Sequence, residues 1–279
     1  MDHAGAVEEV ISAAQPWLPS IDIQHRSSAR LTIPHYIEAW YRWAYLDRRN
    51  ARLLDRESIV SAILLGNSHR LRRAALSEIE PGQRVLQAAH VYGRLIPEIA
   101  HRVGPDGSLD VIDIVPLQVA LCRRKLQGMG QASARIADAT DPGDNAYDVV
   151  NCYFLLHEVP DDRKRAIVDA LLRRVAPGGR AVFIDYHRPK RRQPLRGFYR
   201  LLFRRVEPFA LSMWNCEIHQ LASEASAFRW NKKTMFGGVF QKTVACRKPE
   251  TDATSAIDRG NAGVDDMHAG STTIGIGER

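Results

Sequence analysis

A strand, a small-residue turn, a helix and a second strand ending on an acid occupy Arg84 to Asp113, RVLQAAHVYGRLIPEIAHRVGPDGSLDVID. This βαβ opening is the strongest constraint in the chain, because two parallel strands joined through a helix commit it to an α/β sheet. Val85 and Leu86 form the first apolar run, a helical pattern follows from about Arg94 to Arg102, and Leu109 to Ile112 form the second run before Asp113. In such a unit the turn offers backbone N–H groups and a helix N-terminus to a ligand, and an acid about 20 positions later can accept hydrogen bonds from ribose hydroxyls. Gly93 and Asp113 fit that spacing. The glycine fingerprint G-x-G-x-x-G is degenerate, however: the turn reads Gln87-Ala88-Ala89-His90-Val91-Tyr92-Gly93. Taken alone it suits an ordinary α/β unit with an acidic strand end equally well.

The alternation continues downstream. Pro116 to Lys125 reads as helix, Ala134 to Ala137 as a strand ending at Asp138, and Tyr147 to Phe154 as an apolar strand. Asp161 to Val175 is an amphipathic helix with acids at its start and Arg173-Arg174 at its end; Pro177-Gly178-Gly179 stops it, and Ala181 to Ile184 leads to Asp185. Met235 to Ala245 reads as a closing strand with a glycine bulge. Strands alternating with helices predict a parallel, doubly wound sheet with ligands at the carboxyl ends of its strands. Gln87 to Gly93, Asp113, Asp138, His157-Glu158 and Asp185-Tyr186-His187 all fall there. Each alone could be a cap or a turn residue; five strand ends together point to one polar rim.

Upstream, the pattern from Ile33 to Glu78 is helical and begins with aromatics: Tyr36, Trp40 and Trp43 share one face, with Tyr41 and Tyr45 beside it. Such a stripe suits core packing, a lid over a planar ligand, or an interfacial anchor. Ile59 to Leu76 reads as a helix interrupted near Gly66-Asn67. Between Asp185 and Glu207 stand eight Lys/Arg and no acid, within a chain of net charge +7. Overlapping this block, Pro194 to Trp214 reads as a helix broken at Pro208, with Leu195, Phe198 and Leu202 on one face and Arg196, Arg200 and Arg204 on another. It is read either as docked over the sheet or as lying in a membrane interface. Residues 1–30 are expected to be loosely held and 249–279, without aromatics, disordered. The expected division is a helical segment over 1–79, a nucleotide-binding α/β domain over 80–248 with a basic insertion at 188–214, and the tail. No run of 18 apolar residues and no apolar leader occurs, so a cytoplasmic protein is expected. Cys122, Cys152, Cys216 and Cys246 lack zinc or disulfide spacing and are expected to be free.

These pieces resemble a class I S-adenosylmethionine-dependent methyltransferase, near the quinone-biosynthesis C-methyltransferases, over roughly 80–248. More narrowly, VLQAAHVYG, YFLLHEVPDDRK, APGGRAVFIDYHRP, EPFALSMW and KKTMFGGVFQK, with AYLDRRN and IVSAILLGNSHRLRRAAL upstream, resemble the rhodoquinone biosynthesis protein (RquA) family. The resemblance implies a Rossmann-like, seven-stranded, mostly parallel sheet with helices on both faces, its last strand antiparallel and Ala181–Asp185 near the middle. It implies conversion of ubiquinone to rhodoquinone, an amino group replacing a ring methoxy group, with S-adenosylmethionine as amino donor and Mn(II) required. Gln87, His90, Tyr92, Gly93, Asp113, Asp138 and Ala139 would then bind the cofactor, Asp113 at the ribose and Asp138 at the adenine. His157, Tyr186 and His187 would be catalytic. Glu158, Asp185 and His187 would hold the metal, with His157, Asp138 and Glu217 in reserve; carboxylate and imidazole suit that cation. A bilayer-borne quinone implies a protein peripheral on the inner face of the membrane, leaning on it through the basic stretch and the Tyr36 to Tyr45 aromatics. Two competing readings stay open: an ordinary methyltransferase acting on a quinone or other lipophilic ring, and a non-catalytic lipid-binding module. Nucleic acid is not expected, for no recognition motif accompanies the charge.

Overall fold

The computed structural model describes residues 32–249. Seven strands, β1 (Arg84–Ala88), β2 (Ser108–Asp113), β3 (Ala132–Ile136), β4 (Tyr147–Tyr153), β5 (Val175–Tyr186), β6 (Phe228–Met235) and β7 (Phe240–Arg247), join in one sheet. Their order is β3-β2-β1-β4-β5-β7-β6. The first five pair in parallel, and β7 runs antiparallel to both β5 and β6. The order reverses between β1 and β4, which opens a crevice at their carboxyl ends.

Both faces of the sheet are buried, as the period of two requires. Val85, Val111, Val149 and Val182 join one core with Leu71, Ile99 and Phe203, whereas Leu86, Ile112, Val150 and Phe183 join another with Ile167, Leu171 and Phe228. The covering helices are α1 (Arg48–Leu54), α2 (Glu57–Ile63), α3 (Ser68–Leu76), α4 (Leu95–Val103), α5 (Pro116–Lys125), α6 (Asp161–Arg173) and α7 (Arg196–Val206). Leu71 and Ala75 of α3 pack in the same core as Val85, so the helical N-terminal part shares the interior of the sheet.

Several expectations change. The aromatic stretch is a π-helix, Ile37–Leu46, which buries Ile37, Tyr41 and Ala44 and leaves Trp40 and Trp43 exposed. The buried set repeats the spacing of the expected Tyr36-Trp40-Trp43 stripe but stands one residue further along the chain. Helix α7 is anchored by Tyr199 and Phe203, an i, i+4 pair, with Leu195 and Leu202 of the expected apolar face partly buried against the same core, while Phe198 points out. The closing strand is a hairpin instead: β6 and β7 are joined through Phe236–Gly238, where Gly237 (φ 63°) and Gly238 (φ 90°) are left-handed and make the turn. Strand β5 also begins before the expected residue, and Pro177-Gly178-Gly179 lies inside it. A Cβ on Gly179 would come within 2.8 Å of the Asp148 carbonyl oxygen, which explains a glycine at this close approach. The break at Gly66-Asn67 falls between α2 and α3 as expected. The expected loose 1–30 segment and the 249–279 tail lie outside the described residues, Pro249 apart.

Candidate active site

The carboxyl ends of β1, β2 and β3 form the floor of a cleft with about 630 Å³ of empty space, part of it open to solvent. Ala89 and His90 after β1, Asp113 to Val115 after β2, Asp138 and Ala139 after β3, and Leu155, Glu158 and Val159 after β4 line it. The π-helix closes it with Tyr36, Ile37, Tyr41 and Tyr45. Four of the seven expected cofactor residues, His90, Asp113, Asp138 and Ala139, therefore face one cavity. Gln87, Tyr92 and Gly93 sit behind the wall.

Those three shape the turn. Gln87 is fully buried, donates to the Ala88 and Ala89 carbonyls and accepts from Asn151 Nδ2 at 2.6 Å. Ala89 is left-handed (φ 67°), a conformation that costs a residue with a Cβ about 1 kcal/mol and that these bonds hold in place. The His90 N–H then reaches Asp113 Oδ2 at 2.8 Å, and the Val115 N–H reaches Oδ1 at 2.8 Å. Burial nevertheless outweighs those two bonds and raises the Asp113 carboxyl to about 6. At Gly93 the N–H donates to Asp55, and Lys125 holds the Val91 and Gly93 carbonyls while pairing with Asp55.

The tautomer of His90 follows from its neighbours. Gln118 Nε2 donates to the Tyr45 carbonyl at 3.0 Å, which turns Gln118 Oε1 toward His90 Nδ1 at 2.9 Å. An amide oxygen only accepts, so Nδ1 carries the hydrogen and Nε2 is an acceptor. Burial, with Lys125 nearby, lowers the imidazole to about 3 and keeps it neutral. Nε2 is buried without a partner, and on a residue lining the cleft it marks a place for a ligand's N–H or O–H.

Next to the cleft lies a chain of acids and bases. Asp185 at the end of β5 accepts from the Leu156, His157 and Tyr186 N–H groups and meets His157 Nδ1 at 2.9 Å. His157 Nε2 lies 3.8 Å from Glu158 Oε1, the carboxyl that lines the cleft and accepts a hydrogen bond from the Tyr45 hydroxyl. Burial disfavours the imidazolium, but Asp185, reinforced by Glu158 and Glu207, brings His157 up to about 9. Glu158 is pushed up to about 8, by burial first and also by Glu207, against the lowering effect of His157. Tyr186 stands at 4.7 Å from the His157 ring inside an aromatic cluster with Phe154, Phe203 and Phe240.

His187 is elsewhere. It lines a second, more open pocket with Trp214 and Glu217, and its Nε2 lies 3.7 Å from Glu217 Oε1. Glu158, Asp185 and His187 thus do not converge, and among the described residues no group of three or more His, Cys, Asp or Glu is placed to hold a metal ion. Asp185 already receives three N–H groups and an imidazole. The side chains present do not fit a resident Mn(II). Asp138 pairs with Arg163 at 2.5 Å and caps the Thr140 N–H.

Gln118 and Glu207 are neighbours of the cleft absent from the sequence candidates, whereas Tyr41 and Tyr45 belong to the aromatic stretch read as a possible lid. Gln118 carried a signal: it lies one helical turn from Cys122 on the buried side of α5, a polar residue where core packing wants an apolar one. Glu207, which accepts from Tyr41 at 2.8 Å, is the first acid after the eight cations.

The sheet order and the cleft at its reversal define the fold class as that of the class I S-adenosylmethionine-dependent methyltransferases. Residues 85–179 match a methyltransferase domain family (Methyltransf_25). The chain is similar to the ubiquinone/menaquinone biosynthesis C-methyltransferase UbiE of Shewanella woodyi, at 29% identity over 167 residues, 56% of this chain and 64% of that protein. The UbiE of Ectopseudomonas mendocina is 31% identical over 139 residues, 47% of this chain and 54% of that one. The matched part thus spans less than two thirds of the length of these relatives. Among solved structures, human N-acetylserotonin methyltransferase in complex with S-adenosylmethionine matches with TM-score 0.53 at 16% identity, over 87% of this chain and 66% of that chain. A protein of Bordetella parapertussis described as a possible exported protein matches with TM-score 0.52 at 19% identity, over 70% of each chain.

Proposed function

We propose that the protein binds S-adenosylmethionine in the cleft and transfers its methyl group to a carbon of a quinone-type ring. The observation that carries this is the convergence of Asp113, Asp138, Ala139 and His90 on one cavity at the switch point of the sheet, within the stretch that matches a methyltransferase domain. Asp113 is fixed by two backbone N–H groups and retains lone pairs for ribose hydroxyls. Asp138 and Ala139 stand where the adenine is expected. When bound, the sulfonium supplies an electrophilic methyl carbon.

The chain's own groups handle the proton. Carbon methylation of an activated ring forms a C–C bond, breaks the S–C bond and releases the proton from the ring carbon or its neighbouring hydroxyl. Glu158, at the cleft wall with a carboxyl raised to about 8, accepts a proton once ionised. His157, kept protonated by Asp185 at Nδ1, turns Nε2 toward the Glu158 carboxyl and stabilises its ionised form. Tyr36, Tyr41 and Tyr45 close the cavity with aromatic surface suited to a planar ring.

One observation favours a second reading, in which the cofactor's amino group replaces a ring methoxy group and ubiquinone becomes rhodoquinone. The unpaired Nε2 of neutral His90 is an acceptor for an ammonium proton beside the altered turn, and an amine must lose a proton before it attacks a quinone carbon. No metal step is derived, given the donor arrangement above. Incubation with S-adenosylmethionine labelled with ²H on the methyl group and ¹⁵N on the amine separates the two by mass spectrometry of the quinone product. Deuterium in the ring product is expected; ¹⁵N alone would replace methyl transfer by amino transfer, and neither label would sink both.

A further inference from the structure

The eight cations between Asp185 and Glu207 stand together in one block without an acid. Arg72, Lys125, Arg163, Lys164, Lys232 and Lys242 each meet a carboxylate. None of the eight side chains from Arg188 to Arg205 has an ion pair or a hydrogen bond among the described residues. Arg188, Lys190, Arg191 and Arg196 line the open pocket that also holds His187 and Trp214. Arg196, Arg200, Arg204 and Arg205 continue along α7. Guanidinium groups of this kind bind phosphate oxygens through paired N–H donors.

The same helix exposes apolar surface. Tyr199 and Phe203 anchor α7 inward, so Phe198 and Leu201, three residues apart, stand outward at 51% and 58% exposure. Trp40 and Trp43 stand 48% and 50% exposed on the π-helix. The two elements meet, for Tyr41 of the π-helix donates to Glu207 just past α7, and the rings of Tyr36 and Phe209 lie 6.1 Å apart, edge to face. Basic and large apolar side chains interleaved on adjacent helices match a bilayer surface, with rings at headgroup depth, aliphatic groups deeper, and arginines on the phosphates. A nucleic acid would take the charge and leave Phe198 and Leu201 in water.

We propose that α7, the basic segment before it and the outer face of the π-helix form one docking surface for an anionic phospholipid bilayer. No described helix is long and apolar enough to cross a membrane, so attachment is interfacial. The π-helix closes the cleft with Ile37, Tyr41 and Tyr45 and turns Trp40 and Trp43 outward. Docking therefore sets the cover of the cleft against the bilayer, where a lipophilic ring resides. That last consequence rests on the quinone reading; the docking itself rests on charge and exposure alone.

Flotation of the full chain with vesicles, without cofactor, tests the surface. Binding to phosphatidylcholine vesicles containing phosphatidylglycerol is expected to exceed binding to phosphatidylcholine alone by at least about tenfold, and to weaken with salt. Phe198→Ser with Leu201→Ser, and separately Arg196→Gln with Arg200→Gln and Arg204→Gln, should each reduce it about tenfold or more while the circular dichroism stays unchanged. Equal binding to both vesicle types overturns the proposal, as does unchanged binding by both variants. So does a dimer in sedimentation that the Phe198/Leu201 variant dissociates, because the apolar face would then belong to a second copy. Turnover plays no part in this readout, so its failure leaves the methyl-transfer reading standing, and the reverse holds.

Discussion

Asp113 and His90 share one short network yet should contribute to binding in separable ways. Asp113 is the carboxylate expected at the ribose; His90 offers an unpaired acceptor beside the turn. Asp113→Ala is expected to weaken both S-adenosylmethionine and methylthioadenosine, which share the ribose, by about tenfold or more in calorimetry, the cost of a hydrogen bond to a charged group. His90→Phe should weaken only the ligand that carries the amino-acid portion. Equal losses for both ligands would move His90 to the ribose. On the proposed methyl transfer, Glu158 should set the pH behaviour of turnover. With its carboxyl raised to about 8, activity should rise through that pH as the base ionises. Glu158→Gln should remove this rising limb and lower kcat on the order of a hundredfold, as loss of a general base does; an unchanged profile would assign the base elsewhere.

The π-helix behaves as a cover because its bonds run to the site and not to the core of the sheet. Gln118 holds the Tyr45 carbonyl, Tyr92 holds the Ala44 carbonyl at 2.6 Å, and Tyr45 meets Glu158. Gln118→Ala removes two donors and should speed amide exchange over 37–46 about tenfold, for each lost bond is worth about 1 kcal/mol. Saturating cofactor should restore protection; exchange unaffected by the substitution would mean that packing alone closes the cleft. This element shows what the sequence could and could not tell. The Tyr and Trp residues announced a surface with two uses, but Ile37-Tyr41-Ala44 and Tyr36-Trp40-Trp43 share one spacing a single residue apart, so periodicity could not say which set faces inward. Helix α7 erred in the same direction: apolar residues outnumber the buried positions, so periodicity alone could not choose Tyr199 and Phe203 over Phe198. The strand ends were legible because Asp113, Asp138 and Asp185 each terminate an apolar run. The separation of His187 from Asp185, two residues apart in sequence, arises from the chain leaving β5 toward the β6–β7 turn: the His187 N–H donates to Val239 and its ring nitrogen Nδ1 meets the Gly238 carbonyl.

At the scale of the whole molecule, the buried groups of the site impose a pH dependence on folding that its surface does not share. His157, raised to about 9 by Asp185 against the effect of burial, binds its proton more tightly folded than unfolded. Its contribution is therefore fully present below the ordinary histidine value of about 6.5 and is lost as pH rises through about 9. Glu158 and Asp113, raised mainly by burial to about 8 and about 6, have the same sign: each costs stability as pH rises from its ordinary carboxylate value to its folded one. His90, lowered to about 3 by burial, has the opposite sign, and stability is lost as pH falls from about 6.5 toward 3. Stability should thus fall from near neutral pH toward 9, on the order of 3 kcal/mol of it from His157 alone. Asp185→Asn removes the charge that raises His157 and leaves burial to lower it. The variant is expected to be less stable at pH 6 and to lose markedly less than the wild type between pH 6 and 9 in urea unfolding. His157→Gln should flatten the same limb while leaving the Asp185 bonds to Leu156 and Tyr186 in place. If all three proteins decline in parallel, the alkaline loss belongs to other groups and the Asp185 and His157 pair does not hold the proton assigned to it.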